Sequence, residues 1–219
     1  MATETRSLGA FSEVALRGYG ELVIEQAPDG KEEVTIEADA SLMTRIAADV
    51  TGRRLVLGLG MPWYEWITWW FTWMFLADRH IRYHLKVRTL EEMVLQGSGT
   101  ISCNGLRGGA CRVRISGSGR IVVGGLAEGT VETRISGSGN ITCSGVAQAF
   151  EARISGSGRI HADGLECKRA VTRISGSGDI SVHATETLDV GISGSGRVSY
   201  AGEPRVDTHI SGSGRVRRL

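Results

Sequence analysis

The 219-residue sequence predicts an all-β protein, a parallel β-solenoid, from three observations. The triplet Gly-Ser-Gly recurs seven times, starting at Gly97, Gly117, Gly137, Gly156, Gly176, Gly194 and Gly212, in steps of 20, 20, 19, 20, 18 and 18 residues. A period of that size marks a solenoid, where each repeat is one coil that cannot bury its apolar face alone. Second, the residues around each triplet alternate apolar and polar, which is the period of a strand and not of a helix. Third, aliphatic residues hold two constant places. Leu95, Ile115, Ile135, Ile154, Ile174, Ile192 and Ile210 precede the triplets; Ile101, Ile121, Ile141, Ile160, Ile180, Val198 and Val216 follow them. With coils stacked about 4.8 Å apart, both columns become ladders inside the solenoid. The sequence thus reads as about seven GSG-marked coils in residues 91–219. Residues 1–90 form an N-terminal β region that caps one end and carries a short aromatic, helical insertion at 61–77.

The N-terminal region is read element by element. Residues 1–10 contain no apolar core of a signal peptide, which points to the cytoplasm or the cytoplasmic face of a membrane unless a leader has been removed. Strand patterns at Glu13–Leu16 and Glu21–Ile24 flank a Gly18-Tyr19-Gly20 turn. Pro28-Asp29-Gly30 is a turn, because Pro sets φ and Gly allows the left-handed step. Strands follow at Glu33–Glu37 and Arg54–Leu57, with one or two helical turns between Ala40 and Asp49. A cap is physically required, since a bare end exposes a strand edge. At the other end Arg215, Arg217 and Arg218 read as charged blockers.

All five tryptophans lie within eleven residues: Trp63, Trp66, Trp69, Trp70 and Trp73. Pro62 suits the first turn of a helix, and on a helix Glu65, Thr68 and Thr72 make a narrow polar stripe in an otherwise apolar surface. Met61 to Ala77 would reach only about 25 Å as a helix, too short to span a bilayer comfortably. Three uses remain open. Trp63, Trp66, Trp69, Trp70, Phe71, Trp73 and Phe75 would anchor the protein at a membrane surface, bind a protein partner or a second copy, or cover an open face of the solenoid.

The rest of the chain narrows the chemistry. Net charge is +1, from 25 basic and 24 acidic residues, which argues against a nucleic-acid surface. Cys103, Cys111, Cys143 and Cys167 lack metal-ligand spacing, and Cys103 and Cys143 fall two coils apart, about 9–10 Å and beyond disulfide reach. Around Ser118 the residues two away are Ser116 and Arg120, not the glycines of a hydrolase elbow. No Lys-Ser/Thr follows a triplet, so no phosphate loop is formed. Asp78, His80 and His84 converge on a metal only if they lie on a helix, and they read instead as surface residues beside the aromatic segment. Arg114, Arg134, Arg153 and Arg173 recur at one repeat position, beside an acidic column of Glu132, Glu151, Asp189 and Asp207. An anion-binding stripe is one reading; a solvated, salt-bridged face is the commoner one. No catalytic residue, metal or cofactor is assigned.

The run from Thr187 to Pro204 and then Ile210 to Gly214 resembles the C-terminal part of the bacterial head GIN domain family. That family repeats sGSGxI segments and ends in an ISGSGxxxYxGxP block, here Ile192-Ser193-Gly194-Ser195-Gly196-Arg197-Val198-Ser199-Tyr200-Ala201-Gly202-Glu203-Pro204. The resemblance is specific over 91–219 and weaker over 11–59, where strand pattern carries it. It implies a parallel β-solenoid preceded by further β-structure, and an adhesin-like, envelope-associated role. Family members are typically exported, and the family pattern does not account for the tryptophans. The function predicted is a non-enzymatic binding or structural module attached through residues 61–77. The alternative is a self-assembling, bactofilin-like structural protein; a polysaccharide-active enzyme is the remote one, since its carboxylates would have to cluster away from the basic column.

Overall fold

Stacking follows from the triplet. The first glycine of every triplet has φ between +115° and +130°, a region closed to residues with a Cβ. There the chain turns a corner, and the serine that follows donates its N–H to the first glycine's carbonyl one layer back. Ser118 N–H reaches Gly97 O at 3.0 Å, and the series continues to Ser213 on Gly194 at 2.9 Å. It also runs backward: Ser98 N–H donates to Gly18 O at 2.9 Å. Gly18-Tyr19-Gly20 is therefore not an isolated turn but the preceding corner of the same column, with Gly18 in register with Gly97.

The computed structural model describes residues 2–27, 32–43, 45–59 and 81–219. In chain order the N-terminal elements are β1 (Ala2–Ser7), β2 (Glu13–Gly18), β3 (Glu21–Gln26), β4 (Glu33–Ala38), α1 (Ala40–Met43), β5 (Ile46–Thr51), β6 (Arg54–Leu59) and β7 (Arg82–Val87). Then come β8 (Glu92–Gly97), β9 (Thr100–Asn104), β10 (Ala110–Gly117), β11 (Arg120–Gly137), β12 (Asn140–Gly156), β13 (Arg159–Gly176) and β14 (Asp179–Gly194). The chain closes with β15 (Arg197–Ala201), β16 (Arg205–Gly212) and β17 (Arg215–Arg218). All join one sheet that winds as a parallel β-solenoid. Before the corner the stack runs β6–β2–β8–β10 and on through β11 to β14 to β16; after it, β7–β3–β9–β11 and on to β14, β15 and β17. Parallel stacking thus runs without a break from the N-terminal strands into the GSG repeats.

The N-terminal end is closed by strands of opposite direction. β5 lies antiparallel on β6, β4 antiparallel on β7, and β1 antiparallel on β4. Spatial order departs from chain order, because β6 and β7 form the layer outside β2 and β3 although they come later. Among the described residues helix is confined to Ala40–Met43, shorter than the expected stretch to Asp49, since Ile46–Thr51 is drawn into the edge of the sheet by β6. The predicted aromatic helix at 61–77 lies outside the described residues. No helix among the described residues is long and apolar enough to cross a membrane.

The two aliphatic columns are the core, as the alternation predicts. Ile115, Ile135, Ile154, Ile174 and Ile192 are at most 3% exposed, while Ile210 is 44% exposed because β16 has no further strand stacked on it among the described residues. Burying each such side chain is worth about 1.5–3 kcal/mol before the entropy of ordering is subtracted. Two threonines that fall in the interior are satisfied: Thr133 donates to Glu151 O and Thr172 to Asp189 O, at 3.2 and 3.4 Å, whereas the buried Tyr83 hydroxyl has no hydrogen-bond partner among the described residues. Cys103 and Cys143 stack with Val123 between them, and all four cysteines are buried thiols outside any disulfide. Burial pushes the Cys103 thiol up to about 11 and the Cys143 and Cys167 thiols up to about 12, so they pack as small hydrophobes and not as nucleophiles.

Candidate functional site

Every residue proposed from sequence for attachment, Trp63 through Phe75, lies outside the described residues, as do Asp78 and His80. Their point of departure is nevertheless defined. Glu13 to Leu16 of β2 pair with Arg54 to Leu57 of β6, and Glu21 of β3 pairs with Arg82 of β7. Glu21 N–H donates to Ile81 O at 2.9 Å. In the β2–β3 layer, Tyr19 and Gly20 alone join the two strands. In the neighbouring layer, residues 60–80 join them. The aromatic segment therefore leaves and re-enters the fold at the GSG-side corner of the last parallel layer at the N-terminal end. His84 lies on β7, exposed, opposite Val23 and Thr35.

The repeat surface carries two outward ladders. Arg114, Arg134, Arg153 and Arg173 are in register, and two residues on stand Ser116, Ser136, Ser155, Ser175, Ser193 and Ser211. A shallow furrow of about 400 Å³ follows them, lined by Arg134, Arg153, Arg173, Ser155, Ser175 and His209 among others. Stacked cations at this spacing repel, and the acidic column offsets them. Arg153 pairs with Glu151, and Arg173 grips Asp189 through two nitrogens at 3.0 and 2.6 Å. Arg114 Nε lies 3.2 Å from the largely buried Glu92, which Arg54 also reaches at 3.3 Å. The hydrogen bonds from Arg173 hold the Asp189 carboxyl below the usual carboxylate range. Three of the four arginines of the column, Arg114, Arg153 and Arg173, are thus held by carboxylates, which favours the salt-bridged reading.

One trio has the residue types of a hydrolase. Ser181 Oγ donates to Asp163 Oδ1 at 2.7 Å, and His161 Nδ1 lies 3.5 Å from Ser181 Oγ. A nucleophilic serine needs its proton taken by the imidazole, with the carboxylate orienting that ring. Here the carboxylate holds the serine proton itself, and this bond lowers the Asp163 pKa. The geometry is a surface hydrogen bond between stacked layers. Among the described residues no group of three acidic, histidine or cysteine side chains is placed to hold a metal.

Comparison with known proteins gives a consistent answer. Residues 10–204 match the model of the family described as "Putative auto-transporter adhesin, head GIN domain". No curated protein sequence matches the chain. Among solved structures, a "putative adhesin" from Bacteroides fragilis superposes with a TM-score of 0.87 at 21% identity, covering 100% of this chain and 96% of that one. A "putative lipid binding protein" from Parabacteroides distasonis gives 0.76 at 22% identity, over 99% and 96%. A second Parabacteroides distasonis protein, also a "putative adhesin", gives 0.74 at 23% identity, over 100% and 96%. At these identities the likeness is one of fold.

Proposed function

The chain belongs to the head GIN domain family, and from that premise we propose that it is a non-enzymatic, adhesin-like module whose aromatic segment attaches a rigid solenoid to a membrane surface. One observation carries the reading. Five tryptophans and two phenylalanines are concentrated in residues 63–75, inserted where the adjacent layer needs only Tyr19 and Gly20. A segment of that length and composition is not required to link two such strands, so its apolar content serves something other than the connection. Trp and Phe partition to the headgroup region of bilayers, and an apolar patch of this size is rarely left in water. The related fold described as lipid-binding is in keeping with this. A protein partner, or a second copy meeting at the same segment, is the alternative occupant.

Co-sedimentation with phosphatidylcholine/phosphatidylglycerol vesicles tests it. The wild type is expected in the pellet and a Trp66/Trp70/Trp73→Ser variant in the supernatant. Equal sedimentation of the two would sink the membrane reading.

A further inference from the structure

The last layer, β16 and β17, has no strand beyond it among the described residues. β16 pairs on one side with β14, and β17 with β15. Its inward column continues Leu188, Val190 and Ile192 as Val206, Thr208 and Ile210, but Ile210 is 44% exposed where Ile192 is 3% exposed. The open end is a depression of about 880 Å³, lined on the β16 side by Val206, Thr208 and Ile210 and elsewhere by Tyr200, Val216 and four arginines of β15 and β17.

The geometry points to a second copy of this chain on this edge, paired antiparallel through β16 about a two-fold axis at Thr208. The amides of the Asp207 column point back toward the preceding layer, as Arg112 N–H does to Glu91 O at 2.8 Å. In a parallel strand successive residues turn their N–H and C=O groups to opposite sides. Val206, Thr208 and Ile210 therefore aim theirs at the open edge. An antiparallel partner centred on Thr208 sets Thr208 against the partner's Thr208 and Val206 against the partner's Ile210. Both are hydrogen-bonded positions, and the apolar side chains meet inside. Asp207 then faces the partner's His209 at the closer, non-hydrogen-bonded position outside.

Neighbouring registers do worse. A one-residue slip turns the inward column outward. Centring on Asp207 sets two carboxylates against each other, and centring on His209 sets two imidazoles against each other and leaves Asp207 opposite Ser211. β17 excludes itself, since Arg215, Arg217 and Arg218 would oppose the same residues of the partner. The pairing closes on itself: a two-fold contact through one edge joins two copies and does not propagate into a filament through that edge. The inference does not depend on residues 61–77.

Thr208→Cys is the direct test. At a hydrogen-bonded antiparallel pair the two Cα atoms lie about 5.5 Å apart, within disulfide reach, whereas Arg205→Cys places its pair about 20 Å apart. Mild oxidation is expected to give a covalent dimer of Thr208→Cys and none of Arg205→Cys; the native cysteines are buried. In sedimentation velocity, Asp207→Lys and His209→Asp are each expected to weaken the dimer about tenfold. The exchange Asp207→His/His209→Asp is expected to restore it, which loss of folding cannot do. A monomer at every concentration up to millimolar, or a dimer in which Thr208→Cys does not cross-link, overturns the inference.

Discussion

Each coil turns twice, and the two turns obey different rules. At the GSG corner the backbone is the same in every layer. Had Gly156 a Cβ, it would lie 2.4 Å from Gly137 O, and Gly137, Gly176 and Gly194 meet the layer before them in the same way. On the far side conformation varies. Gly125 has φ +62° and Gly145 +130°, Gly164 has no positive φ, and the register slips between Val123 and Leu126, between Thr142 and Ser144, and between Ala162 and Glu166. Steps of 20, 19 and 18 residues are all absorbed there. One side sets the alignment of the layers and the other takes up the slack, so the arginine and serine ladders stay in register while the repeats change length.

The comparison breaks if the strict corner tolerates a side chain. Gly156→Val is expected to cost about 5 kcal/mol, since strain at positive φ adds to a clash with backbone; urea unfolding followed by circular dichroism measures it. Next in size, Phe150→Ala should cost about 3–4 kcal/mol, because Phe150 is 1% exposed and fills the interior where the slack side rejoins the common register. Ala170 stands opposite it in the next layer. If that side is governed by volume and not by backbone, Phe150→Ala/Ala170→Phe recovers part of the loss, and failure to recover any refutes the claim.

Gly164→Ala sharpens the contrast from the other direction. Its Cβ would sit 3.2 Å from Ser144 Cβ without positive φ, so the change should stay below about 1 kcal/mol. Asp189→Asn removes the exposed pair with Arg173 and should cost at most about 0.5 kcal/mol at pH 7. The Asp189 pKa is depressed in the fold, so its contribution is present above the unfolded carboxylate pKa of about 3.9. It is lost as pH falls through the folded value, and wild type and variant should melt together in strong acid. Smallest of all, Ser138→Ala should change stability by no more than a few tenths of a kcal/mol, as the corner draws on the backbone of Ser138 and not on its exposed hydroxyl.

What could be read from the chain beforehand follows the same division. The strict corner writes itself into sequence because only glycine fits, so the triplets, the isoleucine columns and the spacing of Cys103 and Cys143 were all legible. Gly18-Tyr19-Gly20 belongs to the same column but reads as a simple turn. Between it and Gly97 the chain makes a long excursion through β4 to β7, and the layer order is then set by tertiary pairing. Composition marks the aromatic segment, yet its place at the end-layer corner depends on the register of β6 and β7 against β2 and β3. The self-complementarity of β16 is present in Val206-Asp207-Thr208-His209-Ile210 but has no meaning until that strand is placed at an edge of the described stack.

The sameness of the corners makes the solenoid a ruler with fixed graduations. Asn140 and Arg159 occupy equivalent places in adjacent layers. Excising Asn140 to Gly158 would therefore join Gly139 to Arg159 with every remaining contact type conserved. Such a chain is shorter by one division, about 4.8 Å, and otherwise the same object. The gap between the aromatic stem and the open end can thus be reset by whole repeats, in discrete steps, without redesigning either end.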